Sequence, residues 1–501
     1  MVADPFSFEN LHACYVACRR SKRGSASALK FELGAEELLL DLEKRLRERT
    51  YEPGRSVCFI TKSPKHREIF AADFRDRIVH HVLVRHLEPF WERRFIFDSY
   101  ACRKGRGTIA AVERLRSFMR TVTGNGSRRG FFLHLDIRSY FVSIHKQTLY
   151  DIVASHERND AILWLMGKVI FHDPTGNFRR RGQLDLFAKV PPHKSLFFTG
   201  NVTGLPIGNY TSQFFSNVYL NELDQYVKHE LKCIHYVRYV DDFILLDQSA
   251  ARLVEWRGEI AEFLKQRLLL SLRDANAPPR PVSNGCDFLG YVTRPSHVLV
   301  RPRVVGNLTG RLARYQSSIE SVKNGWRSID MRPQVVGSLR AVLSSYLGIL
   351  GHADARRLRI GVFRRHPFLN FMFRLTGGRL RLRWKPPRRF ANLSSQYQWF
   401  TRRAGRAFLL FRVGTCYEFY GSRARRAARL LGLRLFIRRA SGHVAAGFHA
   451  SGLKRRLERT VRAEPAVFVV EETGMAAGKL RERQLARAIV RVERLGLSAC
   501  R

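Results

Sequence analysis

The chain has 501 residues, 45% hydrophobic and 11% aromatic, enough for about two to four domains with real cores and unlike a largely disordered chain. Lys and Arg number 88 against 43 Asp and Glu, a formal charge of +45, which favours a polyanionic partner and above all nucleic acid. Met1 to Asn10 carries early acids and no apolar core of a secretory signal, no apolar run spans a bilayer, and the eight cysteines (14, 18, 58, 102, 233, 286, 416 and 500) form no CxxC pair, so the expectation is a cytoplasmic protein with reduced thiols. His12, Cys14 and Cys18 lie close together, but no second ligand pair follows at zinc-site spacing.

In chain order, Leu38, Leu39, Leu42 and Leu46 predict a basic amphipathic helix over 36–50. Ile78, Val82, Leu83 and Leu87 predict another over 75–94. Gly105, Gly107 and Thr108 punctuate a basic turn that starts at Arg103. Phe131 to Ile137 reads as an apolar strand ending at Asp136, with a short helix near 146–155 and a loop-rich insert after it, 156–203. Gly204-Leu205-Pro206-Ile207-Gly208 then opens a helix over 211–231. His235 to Tyr239 and Phe243 to Asp247 predict a hairpin about Val240-Asp241-Asp242, followed by a helix over 251–268 and a strand beginning at Phe288-Leu289-Gly290-Tyr291. Strand, helix, hairpin, helix and strand is the order of a split βαβ unit. Further on, Leu308, Leu312, Tyr315, Ile319, Val322 and Trp326 predict one helix with a single buried stripe over 306–326. The stretch 301–390 is poor in acid, and its tail carries Arg374, Arg379, Arg381, Arg383, Lys385, Arg388 and Arg389. Pro386-Pro387 marks a linker, and 391–501 reads as a separate αβ module.

Adjacent carboxylates at a turn tip repel each other unless a cation sits beside them. Tyr239-Val240-Asp241-Asp242 pins such a pair between β-formers, and Asp136 ends a separate strand. Three carboxylates at sheet ends suit two divalent ions, Mg2+ by the hard all-oxygen donor set and also Mn2+, able to activate a hydroxyl and stabilise leaving pyrophosphate. An isolated Asp-Asp is equally ordinary turn chemistry, so the flanking residues decide.

Those flanks resemble reverse transcriptases. Tyr236-Val237-Arg238-Tyr239-Val240-Asp241-Asp242 looks like the family's YxDD motif, and Leu135-Asp136-Ile137-Arg138-Ser139-Tyr140-Phe141 like its first catalytic motif. Phe288-Leu289-Gly290-Tyr291 resembles the primer-grip turn, Arg67 with Arg75-Asp76-Arg77 the fingers motif, and Arg103-Lys104-Gly105-Arg106-Gly107 the template-side fingers block. The resemblance covers 55–300 in order and implies an α+β right-hand polymerase. It implies an N-terminal extension and fingers over 1–130, a palm with an antiparallel sheet over 131–300 carrying a fingers insert at 156–203, and a basic helical thumb over 301–385. Asp136, Asp241 and Asp242 are then the catalytic, metal-binding carboxylates, with Ile137 beside them at the metal and nucleotide. Arg67 grips the triphosphate, assisted by Lys62 or Lys65, and Phe141 is the ring that excludes a 2′ hydroxyl. Arg103, Arg106, Phe288, Leu289, Gly290 and Tyr291 meet nucleic acid. The implied partners are a structured template RNA, its cDNA and their hybrid duplex, with dNTPs as substrate, no membrane, and homo-oligomerisation left open. The family's loop lysine falls at Asn276, leaving Arg273 or Arg280 to substitute electrostatically.

Beneath the nucleotide, most members carry Gln-Gly and Ser-Pro pairs, where this chain has Ile207-Gly208 and Ser212-Gln213. That pattern resembles reverse transcriptases of diversity-generating retroelements, bacterial or phage-encoded, which misincorporate opposite template adenines and so drive mutagenic retrohoming. Related bacterial antiphage-defence reverse transcriptases share the motifs, and a catalytically weak nucleic-acid-binding scaffold is the non-enzymatic alternative.

At the C-terminus, Phe411-Arg412-Val413-Gly414-Thr415-Cys416-Tyr417-Glu418-Phe419-Tyr420 resembles the opening of the mismatch-recognition domain of MutS, with Ala424 to Leu435, Ala446-Gly447-Phe448-His449 and Val469-Val470-Glu471-Glu472 as later blocks. The wedging Phe of that family falls at Cys416 and its base-bonding Glu at Glu418. The basic run Arg423, Arg425, Arg426, Arg429, Arg438 and Arg439 points instead to phosphate contacts, in a module that docks template RNA or cDNA.

Overall fold

A computed structural model describes residues 4–492 apart from 21, 63–64, 388, 439–441 and 478–479, so Arg388, Arg439 and Cys500 lie outside the described residues. The chain divides into two compact units, 1–297 and 298–501.

In the first unit the helix Phe74–Arg94 and the helix Tyr210–Gln225 form the core scaffold. The second is buried nearly all round, as a helix with neighbours on every side must be, and continues as a π-helical turn, Tyr226–Glu230. The helix Ala35–Arg47 buries Leu39, Leu42 and Leu46, which share one stripe, while Leu38 flanks it and is exposed. A four-stranded antiparallel sheet runs in the order Tyr236–Tyr239, Asp242–Asp247, Phe131–Asp136, Arg280–Pro281. A second sheet orders Arg67–Ala71, Ser56–Thr61 and Phe178–Arg180. Its third strand comes from the expected loop-rich insert, which also holds an eleven-residue helix, Asp160–Ile170. Asn159 caps that helix, and Ile162, Leu165, Met166 and Ile170 recur at helical spacing on its buried face, a periodicity a loop would not carry.

The second unit contains an eight-stranded sheet. Strands Phe408–Val413, Cys416–Tyr420, Leu435–Ile437, Val444–His449, Ala466–Ala477 and Leu480–Arg491 belong to the expected αβ module. The remaining two, Glu320–Lys323 and Trp326–Asp330, come from the segment read as a helical thumb, and Trp326–Asp330 pairs with Leu480–Arg491. The helix expected over 306–326 stops at Ile319. Asn324 and Gly325 both have positive φ, 48° and 75°, and Lys323 pairs with Trp326. An Asn-Gly pair closing a two-residue hairpin loop overrides the helical periodicity, leaving Val322 exposed and Trp326 in a strand. The seven described cysteines are all free, and no helix among the described residues is long and apolar enough to cross a membrane.

Candidate active site

Two strands and one turn carry the three carboxylates at one end of the sheet. Asp136 ends Phe131–Asp136, and Asp242 begins Asp242–Asp247 directly opposite it in register. Tyr239 pairs with Asp242, so Val240 and Asp241 form a two-residue loop. Val240 sits at φ 59°, a position such a turn normally gives to glycine and one a β-branched residue adopts only under strain. The backbone N–H of Ile137 donates to the Asp241 carbonyl at 3.2 Å, which holds the tip against the end of the neighbouring strand.

The strained tip is held from beneath by Arg238, whose side chain is wholly buried. Its Nη1 donates to the Val240 carbonyl at 3.0 Å and to Asn217 Oδ1 at 3.2 Å. Its Nε and Nη2 form a two-pronged ion pair with buried Asp224, at 2.7 and 2.5 Å, and Nη2 also reaches Ser99 Oγ at 3.1 Å. The Tyr236 hydroxyl donates to the same Asp224 carboxylate at 2.8 Å. A bidentate guanidinium thus ties hairpin, helix Tyr210–Gln225 and the 98–100 turn into one satisfied buried network.

Burial, then the charge of Asp136, pushes the Asp241 carboxyl up to about 6. Burial raises Asp136 as well, and the Arg273 guanidinium, ion-paired with it, offsets part of that rise. Arg273, not Arg280, is therefore the cation placed on the carboxylates. Its backbone N–H also donates to the Asp136 carbonyl at 2.8 Å. His134, which pairs with Ile244 two positions along the ladder, contacts Asp242 diagonally, a partner the strand pattern did not single out. Asn276 is exposed, with its backbone N–H on Asp274. Among the described residues no three His, Cys, Asp or Glu side chains are drawn together as a ready-made ion cage. The donors nonetheless fit hard cations: they are carboxylate oxygens, and Asp136 Oδ1 is buried with no hydrogen-bond partner.

Beyond Asp136 the chain turns sharply at Ser139, φ 51°, into a one-turn helix, Tyr140–Ser143. Tyr140 is buried and its hydroxyl donates to the Ser216 carbonyl at 2.5 Å, anchoring the turn that carries half-buried Phe141. The Phe141 carbonyl accepts from Leu205 N–H at 2.7 Å, which brings in the loop of Ile207 and Gly208. Ile207 presents its carbonyl to the Phe70 N–H at 3.0 Å. Gly208 lies at φ 119°, where an added Cβ would fall 2.8 Å from Ile69 Cγ2 and 3.3 Å from the Phe70 carbonyl oxygen. Gly208→Ala is therefore expected to lower stability by roughly 1–3 kcal/mol through backbone strain and close contact. A urea midpoint equal to that of the parent protein would contradict this packing.

Arg67 is exposed at the start of Arg67–Ala71, and Lys65 is close enough to lower the Asp136 carboxyl by its charge, whereas Lys62 is bonded to Gln183 at 2.9 Å. Gln213 is exposed on the helix. Phe288 and Tyr291 are buried and pair across a hairpin whose tip, Leu289-Gly290, has φ 51° and 92°, so only the tip can meet a ligand. Arg106 lies over the exposed Phe97 ring at 4.0 Å. Arg103, expected on nucleic acid, is turned inward instead. Its side chain is 5% exposed and is taken up by Glu92 and by the Ile96 and Ser99 carbonyls at 2.7 and 2.8 Å, which fixes the turn.

In the second unit, Glu418 is ion-paired with Arg438 and accepts from the Tyr420 hydroxyl, so it is engaged within the fold rather than presented to a base. Arg426 pairs with Glu464, and Arg423 donates to the Ala407 carbonyl at 2.8 Å. Of the basic run, Arg425, Arg426 and Arg429 are exposed, Arg426 while paired with Glu464.

Asp136 and Asp242 in register, with Asp241 at the tip between the strands, mark one end of this sheet as the candidate site, and the matches to known families say what kind of domain carries it. Residues 60–274 match the family described as reverse transcriptase (RNA-dependent DNA polymerase), and residues 391–493 match MutS domain I. The chain therefore carries the RNA-directed DNA polymerase domain of a reverse transcriptase with a MutS domain I behind it. A curated relative, Protein YkfC of Escherichia coli (strain K12), is 26% identical over 284 residues, covering 50% of this chain and 68% of its own. Among solved structures, telomerase from Candida albicans with a fragment of telomeric RNA superposes with a TM-score of 0.35 at 12% identity, over 62% of this chain and 55% of that one. Apo telomerase from Candida tropicalis gives 0.35 at 12%, over 52% and 59%. The chain thus spans little more than half of either telomerase chain.

Proposed function

We propose that the chain copies template RNA into DNA from a primer, and that it does so with relaxed fidelity at template adenines, as in mutagenic retrohoming by a diversity-generating retroelement. The observation that carries the copying is the register of Asp136 against Asp242 with Asp241 at the strained tip between strands. Two magnesium ions would be held by Asp136 and Asp241, with Asp242 and the Ile137 backbone assisting; when bound they supply activation of the primer 3′ hydroxyl and neutralise the departing pyrophosphate. In this reading Arg67 grips the triphosphate, assisted by Lys65, whose charge acts on Asp136, and Arg273, paired with Asp136, balances the carboxylates between turnovers. Phe141, held by Tyr140, takes the space a ribose 2′ hydroxyl would need and so favours deoxynucleotides. The test is incorporation of labelled dNTPs on a primed RNA; folded protein with no incorporation overturns the reading.

Support for low fidelity comes from Ile207. A Gln there can hydrogen-bond near the nucleotide sugar and template pair; Ile offers only shape. Losing a polar contact of about 1 kcal/mol relaxes discrimination by roughly fivefold. Ile207→Gln is expected to reduce misincorporation opposite adenine by about that factor, read by sequencing cDNA made on a defined template. Unchanged adenine errors would remove Ile207 from the explanation. The MutS domain I in this reading docks RNA or cDNA and does not read mismatches, since Cys416 stands at the wedge position and Glu418 is held by Arg438.

A further inference from the structure

From Ala355 to Tyr417 the chain has sixteen Arg and Lys and no Asp or Glu. Within that stretch, Phe373–Thr376 and Arg379–Leu382 form an antiparallel ribbon closed by Gly377 and Gly378 at φ 56° and 74°. This ribbon falls between the two family matches, which end at 274 and begin at 391. Strand alternation sorts its residues into two faces. Phe373 pairs with Leu382 and Leu375 with Leu380, and these pack on the core of the second unit. Arg374 pairs with Arg381 and Thr376 with Arg379 on the other face, and all four are exposed.

Two arginines directly opposite each other repel, and nothing in the ribbon relieves them. Arg374, Arg379 and Arg381 make no ion pair among the described residues. Charge crowding extends past the ribbon: Arg374 lies near enough to Arg403 to act on it, and Arg359 reaches to 3.0 Å of the space beside Gly378. A fold that keeps an unrelieved cationic face meets its counter-charge in a partner.

We propose that the arginine face of the Phe373–Leu382 ribbon binds the phosphate backbone of a nucleic-acid duplex. The face carries no aromatic ring, whereas single strands are held largely by stacking on such rings, so the duplex is the fitting form. The contact is indifferent to base sequence, because guanidinium groups on phosphates position a duplex without reading it. This rests on the nucleic-acid partner proposed above but not on catalysis.

The test measures binding of an RNA–DNA hybrid and of single-stranded RNA of equal length to the full chain by fluorescence anisotropy, without dNTPs, across a salt series. The triple variant Arg374→Gln, Arg379→Gln, Arg381→Gln is expected to bind the hybrid roughly 10–100-fold more weakly near 0.1 M salt and to flatten the slope of log K against log salt by about 2–3. The triple Arg→Lys variant keeps most of the affinity, and Asp241→Ala binds as the parent does, which separates this proposal from the polymerase reading. Relief of repulsion leaves the Tm of the Gln variant unchanged or higher. An unaltered salt slope, a loss confined to single-stranded RNA, or a lowered Tm each overturns the proposal.

Discussion

Arg238→Met is expected to destabilise the N-terminal unit by roughly 3–5 kcal/mol, because it leaves the Asp224 carboxylate buried without its counter-charge. Asp224→Leu leaves the mirror-image orphan and costs a similar amount. Removing both together deletes the stranded charge, so the double variant should regain much of the stability that either single change loses. Urea unfolding of the four proteins closes this cycle; strictly additive losses would show that the pair is not coupled. Activity should behave differently. The double variant still lacks the Nη1 donor that holds the Val240 carbonyl, so its hairpin tip is unbraced and nucleotide incorporation stays low even where stability returns. Full activity in the double variant would show that the tip needs no support from Arg238.

Asp241→Ala is expected to lower dNTP incorporation at least about a thousandfold, roughly 4 kcal/mol of transition-state stabilisation. It should do so without unfolding the chain. Asp241 is held at about 6 by burial and by Asp136, so at neutral pH its charge opposes the folded state. Removing it leaves the unfolding midpoint unchanged or higher, opposite in sign to Arg238→Met. Incorporation equal in the variant and the parent would exclude this site as the source of activity. Asp242, already in contact with His134, should give a smaller loss than Asp241 when replaced by Ala.

What could be read from sequence was local. Asp136 at a strand end and Asp241-Asp242 between β-formers follow from alternation and turn chemistry, and the paired strands place them as those patterns predict. What escaped was tertiary. Arg238 lies in the four-residue strand Tyr236–Tyr239, read for the Asp pair that flanks it, and its partner Asp224 is on a helix 14 residues earlier, so no local pattern links them. An arginine sharing a strand face with buried Tyr236 was the available signal. Arg103 misled in the other direction, because a basic turn looks the same from sequence whether its guanidinium faces phosphate or carbonyls. The helix ending at Ile319 shows periodicity losing to a two-residue turn signal five positions later.

The pairing of Trp326–Asp330 with Leu480–Arg491 has a bearing on how this protein can be rearranged. Cut at the family boundary, residues 391–493 would carry Leu480–Arg491 away from its neighbour and leave a bare backbone edge, a template for aggregation. The MutS-like part is thus no free-standing cassette for fusion or recombination. Its sheet closes over about 160 residues of intervening chain, so folding of this half should be slow and dependent on the hairpin of Glu320–Lys323 and Trp326–Asp330.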